Sequence, residues 1–106
     1  MDWAGELREA FGRLQAGEHA RVAFASRADR VGELGQEFNA LAEELRSPGL
    51  DALTRERAHS LRSRLAGILA ALHVLRMSDE LTSEEQSTLA QVIETARQVD
   101  ERLRKR

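Results

Sequence analysis

The sequence predicts an all-α protein, and three observations support this prediction. Fifteen leucines and sixteen alanines stand against only seven valines and isoleucines, a usage that favours helices over strands. Apolar residues recur at steps of three and four along four separate stretches, which is the spacing of one helix face. A single proline lies between the second and third of these stretches. We therefore expect four helices.

Charge and cysteine content exclude several classes of function. The 106-residue chain carries 16 basic and 18 acidic residues, a net charge of −2, and the basic residues are dispersed. This balance argues against nucleic-acid binding. The absence of cysteine excludes disulfides and thiolate zinc sites. Because the sequence has neither a run of about 18 to 20 apolar residues nor a signal-peptide pattern, we expect a cytoplasmic protein.

The first half of the chain predicts two helices and a long connector. The first helix should run from about Asp2 to Gln15, and residues 16–30 lose its period, with Val22 and Phe24 as isolated apolar anchors. A second helix follows, with Asp29 as its N-cap. The apolar seams of the two helices are Trp3, Leu7, Ala10 and Leu14, then Val31, Leu34, Phe38, Leu41 and Leu45.

The second half of the chain predicts two more helices. Ser47-Pro48-Gly49 interrupts the period after Arg46, which divides the chain into domains 1–46 and 47–106. The third helix should run from Leu50 to about Met77. A turn follows, and the fourth helix should begin at a capping box made either by Thr82 with Glu85 or by Ser83 with Gln86.

These elements predict two helical hairpins in series. The first is a parallel coiled coil joined by the long connector, and the second is antiparallel with a short turn. Each hairpin is half of a four-helix bundle, so we expect a homodimer in which a second copy completes both cores. Small residues flank the seam of the third helix and would allow close helix approach, although they are also good helix formers: Ala66, Gly67, Ala70 and Ala71.

Two segments resemble modules of sensor histidine kinases. Residues 17–45 resemble the connector and second helix of a HAMP domain in Val31-Gly32-Glu33-Leu34, Phe38-Asn39 and Ala42-Glu43-Glu44-Leu45, and depart from it at Arg30, where the family has Glu. Residues 53–104 resemble the dimerisation and phosphoacceptor domain. Its box has the core His-Glu-Leu-Arg-Thr followed by Pro-Leu, with minor variation. His59-Ser60-Leu61-Arg62-Ser63-Arg64-Leu65 matches it at His59, Leu61, Arg62 and Leu65, with Ser60 in place of the acid, Ser63 in place of the threonine and Arg64 in place of the proline.

The resemblance implies that His59 accepts a phosphoryl group. A neutral imidazole is a good nucleophile near neutral pH, and Arg62 is one of four arginines within five residues of His59. The family's acid after the histidine is implied to be a general base, a role that Ser60 cannot fill, so Glu56 is a weak substitute candidate. Ser63 matches the position that is implied to orient water for dephosphorylation.

The resemblance also implies partners. His59 would relay a phosphoryl group between an ATP-binding catalytic domain and an aspartate of a response-regulator receiver domain. The sequence has no ATP-binding motif and no Mg²⁺-binding cluster, so ATP and Mg²⁺ would act only through a catalytic domain outside this chain, which alone is then no enzyme. A membrane connection would need a further upstream segment, as in the cytoplasmic part of an inner-membrane sensor. The alternative is a non-catalytic dimerisation or interaction module with a degenerate phosphoacceptor box.

Overall fold

The chain forms four α-helices and one short 3₁₀ helix in a computed structural model that describes residues 2–45 and 53–105. The elements in chain order are α1 (Trp3–Gln15), the 3₁₀ helix (Ala23–Ser26), α2 (Arg30–Leu45), α3 (Arg55–Arg76) and α4 (Ser83–Arg104). No strand occurs in these two ranges. The all-α prediction is confirmed. The predicted break at Ser47-Pro48-Gly49, and with it the domain boundary, lies outside the described residues.

Side-chain caps fix where the helices begin. Asp2 accepts from the N–H of Gly5 at 2.8 Å and begins α1. Asp29 accepts from the N–H of Gly32 at 3.0 Å and begins α2, as predicted. At α4 the structure selects the box made by Thr82 and Glu85. These contacts satisfy backbone donors that have no partner within the helix.

The predicted start of the third helix is wrong. Helix α3 begins at Arg55, because the Thr54 hydroxyl accepts from the N–H of Arg57 at 3.2 Å and caps it. Leu53 is buried but precedes the helix. The expected helix from Leu50 to Met77 is therefore shorter, at 22 residues.

Contacts between the helices give their directions. Arg8 and Gln15 of α1 reach Gln91 and Gln98 of α4 in the same sequence order, so α1 and α4 are parallel. Arg57 of α3 donates to the carbonyl of Glu44, whereas Arg64 pairs with Glu37, so α2 and α3 are antiparallel. The short turn between α3 and α4 makes those two helices antiparallel as well. Three helices thus point one way and α3 points the other.

One apolar core unites all four helices. Residues from both halves of the chain are fully buried in it, including Phe11, Phe38, Leu65, Leu72 and Leu89. The rings of Phe11 and Phe38 meet edge to face with centroids 4.8 Å apart. The two halves therefore cover each other's seams, and the expectation that each hairpin leaves its stripe open for a second copy is wrong for this chain. The homodimer itself stays a prediction.

The connector is held by buried anchors and by an asparagine. Val22 and Phe24 are 1% and 7% exposed, as their apolar character predicts. The Asn39 side chain accepts from the N–H of Val22 at 2.8 Å and donates to its carbonyl at 3.1 Å. The Gly32 N–H and the Arg27 guanidinium lower the pKa of the Asp29 carboxyl. This charged cap therefore stabilises the fold above the usual pKa of 3.8, and the stabilisation is lost as the pH falls through the lowered value.

Two glycines allow the connector to lie against α2. A Cβ at Gly32 would collide with the carbonyl of Arg27, and one at Gly35 would lie 2.8 Å from the Cα of Ala25. Both neighbours are backbone atoms, which cannot move aside without displacing the connector. The close approach of connector and helix therefore requires glycine at these positions.

We expect Gly35→Ala to lower the free energy of unfolding by about 1 to 3 kcal/mol, because the added methyl overpacks the connector contact. The matched control is Gly12→Ala, since a Cβ at Gly12 has nothing within 4 Å. That change should raise stability by roughly 0.5 to 1 kcal/mol through helix propensity. Urea unfolding of both variants measures the difference. Equal stability of the two variants would contradict the close approach.

Candidate functional site

His59 lies on the outer face of α3, in its second turn. Its side chain is exposed, while Leu61, Leu65 and Ile68 of the same helix are 1%, 0% and 1% exposed. These leucines and the isoleucine lie about 180 to 240° round the helix from His59 at 100° per residue. The seam at Leu61, Leu65 and Ile68 therefore predicts the outward orientation of His59, and the structure confirms it.

Serine, glutamate and arginine side chains surround His59 on this side of α3. Ser60 and Ser63 are exposed, and Ser63 lies one turn further along α3. Glu56 is also exposed, about one turn before His59. The sequence-predicted residues Glu56, His59 and Ser63 thus share one solvent-facing side of the helix.

Two of the arginines near His59 form ion pairs with the neighbouring helices. The Nε of Arg62 donates to Asp100 of α4 at 3.0 Å. Arg64 pairs with Glu37 at 3.2 Å and with Glu44 at 3.6 Å, both on α2. Two of the four arginines near His59 are therefore paired with carboxylates of the adjacent helices, which reduces the positive charge expected around His59.

These ion pairs attach α3 to the helices on either side of it. Arg62 is directed to α4, and Arg64 is directed to α2, because the two residues lie on opposite flanks of the outer face. Exposed ion pairs contribute only about 0 to 1 kcal/mol each, so the apolar core remains the main source of stability. Burial of Leu61, Leu65 and Ile68 sets how α3 is rotated about its axis and so keeps His59 in solvent, and the ion pairs add contacts to the neighbouring helices.

The other two histidines do not join His59. His73 is exposed near the C-terminal end of α3, about 21 Å from His59 by helical rise, and His19 is exposed in the connector. Among the residues 2–45 and 53–105, no group of three histidine or acidic side chains could hold a metal ion. His59 and His73 are therefore too far apart to bind one ligand together.

The sequence did not predict Asp100 as a partner of Arg62. The two residues are 38 positions apart, and no local pattern links them. It also did not predict a groove of about 350 Å³ between α2 and α3, lined by apolar atoms of α3. One feature of the sequence could have indicated an apolar surface here, because residues 65–75 contain no Asp, Glu, Lys or Arg.

Within the described ranges no helix has both the length and the apolar character that crossing a bilayer requires. Comparison of the chain with protein-family models, curated proteins and solved structures finds no match. The resemblance to histidine kinases therefore depends on the residues quoted for it.

We expect Asp100→Asn to release Arg62 and to speed phosphorylation of His59 by the anionic donor phosphoramidate. The expected increase is about two- to fivefold, the range given by roughly 0.4 to 1 kcal/mol of electrostatic stabilisation. Glu101→Gln is the control, because it removes the same charge from the next residue, whose carboxylate lies 3.7 Å from Arg104. Mass spectrometry of the histidine-containing peptides follows the reaction. An equal increase in both variants would show a general charge effect and contradict a role for Arg62.

Proposed function

We propose that this chain is a two-component signalling module in which His59 receives a phosphoryl group and passes it to a receiver aspartate. The observation that carries the proposal is the exposure of His59 on α3, in an antiparallel hairpin whose apolar side is otherwise fully packed. A phosphoacceptor must be reached in line by its donor and by its acceptor, and an outward imidazole meets that need.

The transfer from a phosphorylated receiver needs one nucleophile. The unprotonated nitrogen of the neutral His59 imidazole attacks phosphorus, a nitrogen–phosphorus bond forms, and the bond between phosphorus and the aspartate oxygen breaks. The aspartate leaves as a carboxylate, and the imidazole becomes a phosphoimidazolium that can release its remaining ring proton to water. The reverse reaction returns the phosphoryl group to the aspartate. Neither direction requires a general base on this chain.

The residues around His59 favour this exchange over phosphorylation from ATP. Ser60 stands where the family has an acid and cannot remove a proton from the imidazole. Glu56 is exposed one turn before His59 and is the only candidate base we assign. Ser63, exposed one turn after His59, is the candidate for positioning water during dephosphorylation.

The first two helices supply a route for a conformational signal in this proposal. Helix α1 contacts α4 through Arg8 with Gln91 at 3.1 Å and Gln15 with Gln98 at 2.6 Å. A displacement of α1 would therefore act directly on the hairpin that carries His59. We place the module in the cytoplasm, where receiver domains are its partners.

An interaction module without phosphoryl transfer is the second candidate function. The observation that favours it is the pairing of Arg62 with Asp100 and of Arg64 with Glu37 and Glu44, which leaves less positive charge for a phosphoryl group. In this case the helical bundle would only bind a partner and transmit changes in packing.

Phosphoryl transfer distinguishes the two functions. The purified chain is incubated with a panel of receiver domains phosphorylated by acetyl phosphate, and label stable to alkali but labile to acid is measured. We expect such label on the wild type and less than about a tenth of it on His59→Gln, because the nucleophile is removed.

His73→Gln is the matched control, since His73 is exposed on the same helix and should not be needed. Loss of label only in His59→Gln supports the relay. Label that survives in His59→Gln, or no label with any receiver, would contradict the relay and favour the interaction module.

A further inference from the structure

The outer surface of the C-terminal half of α3 is exposed at Gly67, Ala70 and Val74. Among the described residues the only large apolar side chains that are exposed are Val74, at 53%, and Met77, at 82%, and both lie at the C-terminal end of α3. Val74 also lines the groove of about 350 Å³ between α2 and α3, whose centre is formed by Leu34, Ala70 and Ala71. Apolar atoms therefore reach solvent along about two turns of α3.

The two ends of this groove carry opposite charges. Arg30 lies at one end and Glu37 at the other, seven residues and thus about 10 Å apart along α2. Arg30 has no ion-pair partner among the described residues, and Glu37 retains 57% side-chain exposure beside Arg64. A second copy could pack over this groove in the antiparallel direction, with the two-fold axis crossing the middle of the groove. Arg30 of each copy would then lie opposite Glu37 of the other copy.

The two ends of the groove also have complementary shapes. Val74 protrudes at one end of the α3 side, and Gly67, seven residues earlier, leaves a gap at the other end. A Cβ built on Gly67 has nothing within 4 Å, so the space above this residue is open. The same antiparallel copy would place each Val74 over the other copy's Gly67, with the small residues Ala70 and Ala71 at the centre.

We infer that this groove is the interface of a two-fold symmetric, antiparallel homodimer. Arg30 of one copy pairs with the partner's Glu37, and Val74 packs over the partner's Gly67, each contact occurring twice. The two Glu33 side chains lie near the axis and repel each other, and the flanking arginines offset this repulsion. This interface differs from the seam-to-seam dimer that the periodicity predicts, because those seams are closed within the chain.

The dimer leaves His59 accessible. His59 lies eleven residues before Ala70, about 16 Å along α3, whereas the partner's helix ends six residues, about 9 Å, beyond the axis. The inference therefore stands apart from the phosphoryl relay, and either can fail without the other.

Light scattering across a concentration series tests the dimer, with a monomer mass of 11.9 kDa as the reference. We expect about twice that mass for the wild type. Gly67→Leu should give a monomer, because the new side chain fills the gap that receives Val74, while helix α3 itself is not weakened. Gly12→Leu is the control, since Gly12 is an exposed helical glycine on α1 with equally open space, and it should remain dimeric.

A charge exchange tests the predicted pairing directly. Arg30→Glu and Glu37→Lys should each lower the dimer association constant at least about tenfold, because each places like charges opposite one another. An equimolar mixture of the two variants should restore a dimer, since a mixed pair opposes unlike charges at both sites. A wild type that stays at the monomer mass, a dimer that survives Gly67→Leu, or a mixture that remains monomeric would overturn the inference.

Discussion

The structure depends on the burial of one apolar stripe, that of the α3–α4 hairpin. Two antiparallel helices alone cannot remove such a stripe from water, and here α1 and α2 of the same chain cover it. Helix α1 lies along α4 and α2 lies along α3. The exposure of His59 follows from this arrangement, because it fixes which side of α3 remains in solvent.

Periodicity and cap residues predicted most of the local structure. The seams, the Asp29 cap and the outward side of His59 all follow from spacing along single helices, and spacing narrowed the cap of α4 to two boxes, of which the structure has Thr82 with Glu85. The packing of the two halves on each other could not be predicted, because a seam shows which face is apolar but not which helix covers it. Thr54 as the start of α3 was missed, since the apolar period extends back past it and gave no reason to end the helix there.

Only part of the candidate site could be predicted, because contacts between helices cannot be derived from the pattern of a single helix. The exposure of His59 follows from its angle to Leu61 and Leu65, which is a property of one helix. The state of Arg62 does not, because its partner Asp100 is brought near by the pairing of α3 with α4. Positive charge that looks available in the sequence is thus partly paired with carboxylates of other helices in the fold.

The most direct test asks whether the α1 that packs on α4 belongs to the same chain. Because the sequence contains no cysteine, a pair of introduced cysteines can answer this question. Arg8 on α1 and Gln91 on α4 are exposed, and a guanidinium nitrogen of Arg8 donates to the side-chain oxygen of Gln91 at 3.1 Å. A short bis-maleimide should therefore join cysteines placed at both positions of one chain. We predict a product of monomer mass from Arg8→Cys/Gln91→Cys, and no covalent dimer from a mixture of the two single variants. A covalent dimer from that mixture, with no intrachain product from the double variant, would show that a second copy supplies α1 and would contradict the account.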